Sequence, residues 1–486
     1  MRFIQQQAQL HTPAASKWFQ AIRAVAVLLG ALILSWPAIY NGYPFLYPDS
    51  VSYLDSGRTV ARALFLHQFS QDYGPRSVFY SLAIFPLRWG LALWPIVAMQ
   101  CLLVAWVIWL VARSIAPRRA LTAYLSLILF LSLLTSAGWY AAFIMPDILA
   151  AVLCLSIFLL AYARQRLSRV ERFALCLIAV WCVTAHATHL LLAAGLCLLL
   201  AAVAALERRN RSERIGAVRL VAAIVVAAAV AQLAVYSHLD GKLSFSGQRP
   251  PYLMARVVSD GPGRWYLEQH CAQLQWEVCK DLPGLSADPE SLLWGEHAAW
   301  ESGTESERRQ LEAEEMPLVL ATLRAYPAQE LSRSAANFRD QLRYFGMYAF
   351  NYNERLPKLL DAAMPQLLAG YLAGRQARDN LPLILLSHLQ WWVIVASLAA
   401  VVILAAIDWR RLSRLARGLM LVTAVSVVGN AFITGVLSEP EHRYQCRIVW
   451  LIPLLAAILL LDWFEQRRPG DGIGEDEKVG GSVLAP

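Results

Sequence analysis

Arginine clusters separate the long apolar runs of this chain, and they constrain its topology more than any other feature. The clusters lie at Arg113/Arg118/Arg119, Arg164/Arg166/Arg169/Arg172, Arg208/Arg209/Arg211/Arg214/Arg219, Arg410/Arg411/Arg414/Arg417 and Arg467/Arg468. Short loops rich in arginine and lysine stay on the cytoplasmic side of a membrane. Each apolar stretch between two clusters must therefore leave the cytoplasm and return to it.

The composition agrees with a membrane protein. Of the 486 residues, 58% are hydrophobic and only 16% are charged, whereas a soluble protein carries about 25% charged residues. The net charge of +8 would suit a nucleic-acid binder, but the basic residues lie in short loops beside apolar runs and no nucleic-acid motif accompanies them. We therefore predict an all-α polytopic membrane protein with no nucleic-acid partner.

The apolar runs can be converted into spans, because each crossing needs about 20 apolar residues. Two long runs, 120–162 and 173–206, have arginines at both ends and must cross twice, with turns at 138–146 and 184–189. Single crossings are expected at 22–40, 91–112, 218–236, 383–407, 418–437 and 448–463. The pattern predicts about ten transmembrane helices. Both termini are then cytoplasmic, and the chain is placed in the inner (plasma) membrane.

The spans divide the chain into five parts. A cytoplasmic N-terminus (1–21) precedes a transmembrane module (22–237), which contains a first exoplasmic loop (41–76) and an interfacial or re-entrant helix at 77–89. An exoplasmic region (238–382) is long enough for a small domain with juxtamembrane helices, of which 356–372 resembles a helix lying on the membrane surface. The C-terminal spans (383–463) precede a Gly-rich, acidic tail (464–486) that we expect to be disordered. Cys271 and Cys279 lie in the exoplasmic region and form either a local disulfide or two free thiols.

This topology brings acids and histidines to the exoplasmic face. Asp49 lies in Tyr47-Pro48-Asp49-Ser50-Val51-Ser52-Tyr53, just past the first span. An acid held at a membrane surface among aromatic residues can act as a general base. The alternative is that Asp49 or Ser50 caps a helix that begins nearby.

Three further candidates lie at later turns of the chain. Asp147 follows Pro146 at the start of a span, where it either serves function or complements the helix dipole. His186 and His189 are three residues apart, and they either hold a phosphate or bond to the backbone. Spacing fixes no third or fourth ligand for them, so we predict no metal site.

Exoplasmic arginines are the remaining candidates. Arg443 lies in the turn that also contains His442 and Tyr444, and Arg76 follows Tyr73-Gly74-Pro75. An arginine at a membrane surface binds a lipid head group or a phosphate. The alternative for Arg443 is a surface ion pair with Glu439 or Glu441.

These motifs resemble those of the GT-C class of membrane glycosyltransferases, in particular the protein O-mannosyltransferases and lipid A aminoarabinose transferases. The similarity rests on the Asp49 motif, on Gly74-Pro75-Arg76-Ser77-Val78-Phe79-Tyr80 before a span with Met99-Gln100, on Met145-Pro146-Asp147, and more loosely on Arg443-Tyr444. It covers roughly the first 240 residues and the last span pair. The chain departs from the family where a second acid often follows the first, because Ser50 follows Asp49 and the next acid is Asp55.

The resemblance implies a polyprenyl-phosphate-linked sugar as donor and a lipid, glycan or protein as acceptor. The lipids of the membrane are the other expected partners. Asp49 would take the proton of the acceptor hydroxyl, and transfer would invert the anomeric centre. Arg76, His189 and Arg443 would neutralise the departing phosphate, while Asp147 would orient the sugar or water. We expect no organic cofactor, and the sequence leaves a requirement for a divalent cation open.

Two other classes of protein remain open. A transporter or flippase for a lipid-linked or anionic substrate would use the same acids as proton or cation sites. A transporter favours polar residues near the bilayer midplane, whereas the acids of this chain are predicted to lie at one face of the membrane. A non-catalytic assembly subunit would tolerate loss of Asp49 and Asp147.

Overall fold

The computed structural model describes residues 13–68, 74, 76–88, 92–207, 211–241, 243–247, 249–280, 282–285, 288–295 and 298–466. All regular structure in these residues is helical, apart from one isolated bridge between Phe45 and Phe143. Most of the predicted cytoplasmic N-terminus and the predicted disordered tail lie outside the described residues.

The helices form three successive groups along the chain. The first contains α1 (Pro13–Leu34), α2 (Trp36–Asn41), α3 (Pro48–Leu66), α4 (Val78–Ile84), α5 (Trp94–Ile115), α6 (Ala120–Leu134), α7 (Ala137–Ala141), α8 (Ile148–Tyr162), α9 (Arg169–Ala185), α10 (Ala187–Leu206) and α11 (Arg211–Asp240). The second contains α12 (Tyr252–Ser259), α13 (Pro262–Leu274), α14 (Pro289–Trp294), α15 (Ala299–Ser302), α16 (Glu305–Ala325), α17 (Pro327–Arg343), α18 (Arg355–Ala363) and α19 (Pro365–Ala373). The last contains α20 (Leu383–Asp408), α21 (Arg414–Leu437), α22 (His442–Val449) and α23 (Leu451–Gln466).

Within the described residues, eight helical segments are long and apolar enough to cross a membrane. They are Gln20–Asn41, Trp94–Ile115, Pro117–Leu134, Ala187–Leu206, Arg211–Asp240, Leu383–Asp408, Arg414–Leu437 and His442–Gln466. This confirms the prediction of an all-α polytopic membrane protein. The predicted ten spans would also need α8 and α9, which have 15 and 17 residues, so that number stays a prediction.

Helix α8 lies at the centre of the fold. All of its residues are buried, and it packs against α5, α9, α10 and α21. At about 1.5 Å per residue the helix is roughly 22 Å long, shorter than the apolar core of a bilayer. Because neighbouring helices surround α8, Asp147 at its N-terminal end is also buried.

Ion pairs link the arginine clusters to one another. Glu171 lies within the cluster of residues 164–172. It accepts hydrogen bonds from Arg113 of the first cluster and from Arg23 of α1, each over 2.9 Å. Arg414 pairs with Glu213 over 2.9 Å, which joins two further clusters. Residues of different clusters are thus in contact, as expected if the clusters lie on the same side of the membrane. The assignment of that side as cytoplasmic stays a prediction.

The second group of helices has its own apolar core, in which Met254, Val257, Leu267 and Leu318 are buried. Cys271 and Cys279 are disulfide-bonded beside this core, with their Cα atoms 5.5 Å apart. The single surface helix expected at 356–372 is instead two short helices, α18 and α19. The break falls at Met364 because Pro365 cannot donate the next helical hydrogen bond.

Candidate functional site

A buried aromatic cluster joins the first loop to the turn before α8. The Phe45 ring stacks on Trp139 with centroids 5.1 Å apart and meets Phe350 edge-on at 4.9 Å. The backbone N–H of Ile144 donates to the carbonyl of Phe45 over 3.0 Å. These contacts bring two segments that are about 100 residues apart in sequence into register, and they place Asp49 and Asp147 on one side of the bundle.

A glutamine in the segment after α19 holds the same loop. The side chain of Gln376 accepts from the backbone N–H of Leu46 over 3.2 Å and donates to the Leu46 carbonyl over 2.8 Å. Its own backbone N–H donates to the side chain of Asn41 over 2.8 Å. Both the first loop and the chain after α19 therefore support the position of Asp49.

Asp49 lies in the first turn of α3 but does not cap it. Pro48 starts the helix, and the hydroxyl of Ser50 accepts from the backbone N–H of Tyr47 over 2.9 Å. Because Ser50 takes this capping contact, the Asp49 carboxylate is directed to arginines. It accepts from Arg76 over 2.6 Å and from Arg443 over 3.3 Å.

Arg76 connects Asp49 to the second group of helices. Its guanidinium donates to the hydroxyl of Tyr252 over 3.0 Å and lies over the ring of Trp294, 5.5 Å from the centroid. Burial disfavours the charged guanidinium, but the Asp49 carboxylate together with Tyr252 and Tyr53 outweighs burial and raises the pKa of Arg76. Arg76 is therefore a fixed positive charge.

Arg443 is buried between two aromatic rings at the start of α22. Its guanidinium lies 4.4 Å from the ring centroid of Tyr47 and 5.0 Å from that of Tyr444. Besides Asp49, it approaches Asp147 at 3.8 Å. The alternative for Arg443, a surface ion pair with Glu439 or Glu441, is not formed among the described residues, where its carboxylate neighbours are Asp49 and Asp147. Arg443 instead joins the two aspartates that the sequence singled out.

Asp147 is the N-cap residue of α8, yet its side chain makes no capping hydrogen bond. It is only 1% exposed, and both carboxylate oxygens lack hydrogen-bond partners in the described part of the chain. Its nearest cations are Arg447 at 3.5 Å and Arg443 at 3.8 Å. Ion pairing therefore accounts for Asp147 better than helix capping does.

The two histidines lie at the turn between α9 and α10, where the sequence predicts a reversal. His186 caps α10 by accepting the backbone N–H of Thr188 at Nδ1 over 3.3 Å. His189 is fully buried, and its Nδ1 donates to the carbonyl of Cys182 over 2.7 Å. Both rings therefore form hydrogen bonds with the backbone, which is the second of the two alternatives predicted for these histidines. Nε2 of His189 has no hydrogen-bond partner among the described residues.

His442 supports the turn before α22. Its Nδ1 accepts the backbone N–H of Gly346 over 2.8 Å. Its ring stacks on Tyr344 and meets Tyr348 edge-on, with both centroids 4.8 Å away. These contacts hold the segment that carries Arg443.

A cavity of about 370 Å³ opens beside this group. Asp49, Arg76, Arg443 and Tyr444 line it, whereas Asp147, His186, His189 and His442 are not among its lining residues as far as the chain is described. The structure therefore divides the predicted site residues into a set on the cavity wall and a set behind or beside it.

Five further residues complete the site. Tyr252, Trp294, Glu290 and Glu439 line the cavity, and Arg447 lies behind it against Asp147. Arg447 follows Arg443 by one helical turn, a spacing that places both on one helix face and was available in the sequence. Glu439 lies four residues before Arg443, in the turn before α22. No local pattern marks Tyr252, Trp294 and Glu290, which belong to the second group of helices and reach the cavity through its folding.

The cavity also has an acidic side. Burial, followed by the negative charges of Glu290, Asp288 and Glu441, raises the pKa of Glu439 to about 8. Burial likewise raises the pKa of Glu290. A protonated Glu439 removes one negative charge from the cavity wall and leaves its carboxylates and guanidinium groups equal in number.

The geometry suits an anion more than a metal. Among the described residues, no group of three or more His, Cys, Asp or Glu side chains is arranged to hold a metal ion. Two guanidinium groups and one carboxylate on a shared wall can instead bind a phosphate and accept a proton. Comparisons with protein-family models, with curated proteins and with solved structures find no match for this chain.

Proposed function

We propose that this chain is an integral-membrane glycosyltransferase that moves a sugar from a polyprenyl-phosphate donor to an acceptor hydroxyl at the non-cytoplasmic face. The position of Asp49 on the cavity wall between Arg76 and Arg443 carries the proposal. A general base and two phosphate-binding groups are thereby in direct contact. The resemblance of the Asp49, Arg76 and Asp147 motifs to GT-C enzymes supports the same assignment.

In the proposed reaction, the acceptor hydroxyl gives its proton to Asp49 while its oxygen attacks the anomeric carbon of the sugar. The bond between that carbon and the phosphate oxygen breaks, and its electron pair stays on the phosphate. Attack opposite the phosphate inverts the anomeric centre. The polyprenyl phosphate then carries one more negative charge than the donor, which Arg76 and Arg443 stabilise.

The arginines also couple donor binding to base catalysis. Both of them contact Asp49, so a donor phosphate competes with Asp49 for their N–H groups. A weaker pairing leaves the carboxylate freer to accept the acceptor proton. Proton abstraction is therefore expected to follow donor binding.

The donor class can be tested with purified protein. We expect binding of farnesyl phosphate, a short polyprenyl monophosphate, but not of farnesol, and we expect Arg443→Met to remove the difference. Polyprenyl phosphates carrying mannose, glucose or 4-amino-arabinose, incubated with a membrane-lipid extract, should release polyprenyl phosphate in at least one case. Equal binding of farnesyl phosphate and farnesol would contradict the proposed donor.

A further inference from the structure

Arg447 is the most deeply buried cation in the neighbourhood of the site. Its side chain is 0% exposed, and it lies one turn inside α22, away from the cavity lining. A charge buried this far within a candidate span is costly unless it has a function. Contact with substrate does not explain it, because Arg447 does not line the cavity.

The contacts of Arg447 fix its orientation. One terminal nitrogen donates to the hydroxyl of Thr188 and to the side-chain oxygen of Asn430, each over 3.0 Å. The other terminal nitrogen lies 3.5 Å from Asp147 and has no hydrogen-bond partner in the described structure. The guanidinium is thus held on one side by α10 and α21, and it presents its other side to Asp147.

Asp147 divides its negative charge between two arginines. It lies 3.5 Å from Arg447 and 3.8 Å from Arg443. Arg443 in turn divides its positive charge between Asp147 and Asp49. The four side chains alternate in charge from the interior of the bundle to the cavity wall.

We propose that Arg447 is a positioning residue that holds the charge of Asp147 and thereby leaves Arg443 available to the phosphate of the donor. Without Arg447, Asp147 has Arg443 as its only remaining cation within 4 Å among the described residues. Asp147 would then compete with the phosphate for Arg443. This inference rests on the proposed donor class and adds to it the reason for a second buried arginine.

The test compares a single and a double variant in the binding of farnesyl phosphate, measured by titration of purified protein. Arg447→Met keeps much of the side-chain volume and removes the charge. We expect it to weaken binding by about tenfold, the effect of losing a charge-assisted contact. The charge-balanced double variant Asp147→Asn/Arg447→Met removes the competitor as well and should bind within about threefold of the wild type.

Arg214→Met is the matched control. Arg214 is also buried, at 3% exposure, but it pairs with Glu207 at a distant part of the bundle. Its loss should leave binding unchanged if the protein folds. An equal loss of binding in this control would mean that any buried arginine has the same effect, and it would overturn the inference.

The outcomes separate this inference from the proposed function. If the wild type does not bind farnesyl phosphate, the donor class fails and the inference fails with it. If the wild type binds but Arg447→Met binds equally well, or the double variant binds as weakly as the single one, only the positioning role of Arg447 is overturned. Should Arg447→Met not fold, Arg447→Gln replaces it. Glutamine also removes the charge that faces Asp147, so we expect about tenfold weaker binding, and unchanged binding would overturn the inference.

Discussion

Replacement of Glu439 by glutamine should change how stability depends on pH. In the folded protein the pKa of Glu439 is raised from its usual 4.5 to about 8, first by burial and then by neighbouring carboxylates. A raised pKa means that the folded state binds the proton more tightly than the unfolded state does. The stabilisation is therefore complete below pH 4.5 and is lost as the pH rises through 8.

The magnitude follows from the size of the pKa difference. At about 1.4 kcal/mol per unit, the difference corresponds to roughly 5 kcal/mol as an upper bound. Glu439 is only partly buried and borders an open cavity, so solvent screening reduces the effect to about 1–2 kcal/mol. For a chain of this length, that is about 2 °C in melting temperature.

Thermal unfolding in detergent between pH 5 and pH 9 measures the effect. We expect Glu439→Gln to match the wild type at pH 5 and to melt about 2 °C higher at pH 9, because glutamine cannot ionise. Glu268→Gln is the control, since Glu268 lies on an exposed helix face and pairs with Arg264. A constant difference between Glu439→Gln and the wild type across the pH range would refute the reasoning.

Three other predictions concern the site, the second group of helices and the arginine clusters. Tyr252→Phe removes the hydroxyl that accepts a hydrogen bond from Arg76. We therefore expect about tenfold weaker binding of farnesyl phosphate with little change in stability. Unchanged binding would mean that Tyr252 does not hold Arg76 in place. Replacement of Cys271 and Cys279 by serine opens a short loop and should cost at most about 2–3 kcal/mol, so that the double variant remains folded and binds farnesyl phosphate; loss of the whole fold would contradict a local role. In a cysteine-free background, a cysteine at Arg417 should resist an impermeant thiol reagent in intact cells while one at Glu268 reacts, and the reverse pattern would invert the proposed topology.

The sequence predicted those parts of the site that depend on membrane topology. Arginine clusters determine which ends of the spans lie together, and this alone placed Asp49, Asp147 and Arg443 at one face. The structure brings these three side chains into contact. The reversal between α9 and α10 is also predictable, since a run with arginines at both ends must turn near its middle.

Other parts of the site depend on packing that no local pattern records. The position of Asp49 beside Arg76 depends on the packing of Phe45 against Trp139. It also depends on the hydrogen bonds between the Gln376 side chain and the backbone of Leu46. Tyr252 reaches the cavity only because the second group of helices packs against the first loop, where its hydroxyl meets Arg76. His442 shows the converse limit, because its polar side chain at the turn before α22 accepts from the backbone N–H of Gly346 and does not line the cavity.

Sugar transfer by Asp49→Asn, compared with Asp55→Asn, tests the central claim most directly. The substituted amide keeps the size of the Asp49 side chain but cannot accept the acceptor proton, so we expect transfer to fall by about 10²–10⁴-fold while farnesyl phosphate still binds. Asp55 lines the same cavity on the same helix, and its replacement should leave transfer within about threefold of the wild type. Full transfer by Asp49→Asn would contradict the proposed mechanism, and so would a loss of transfer confined to Asp55→Asn.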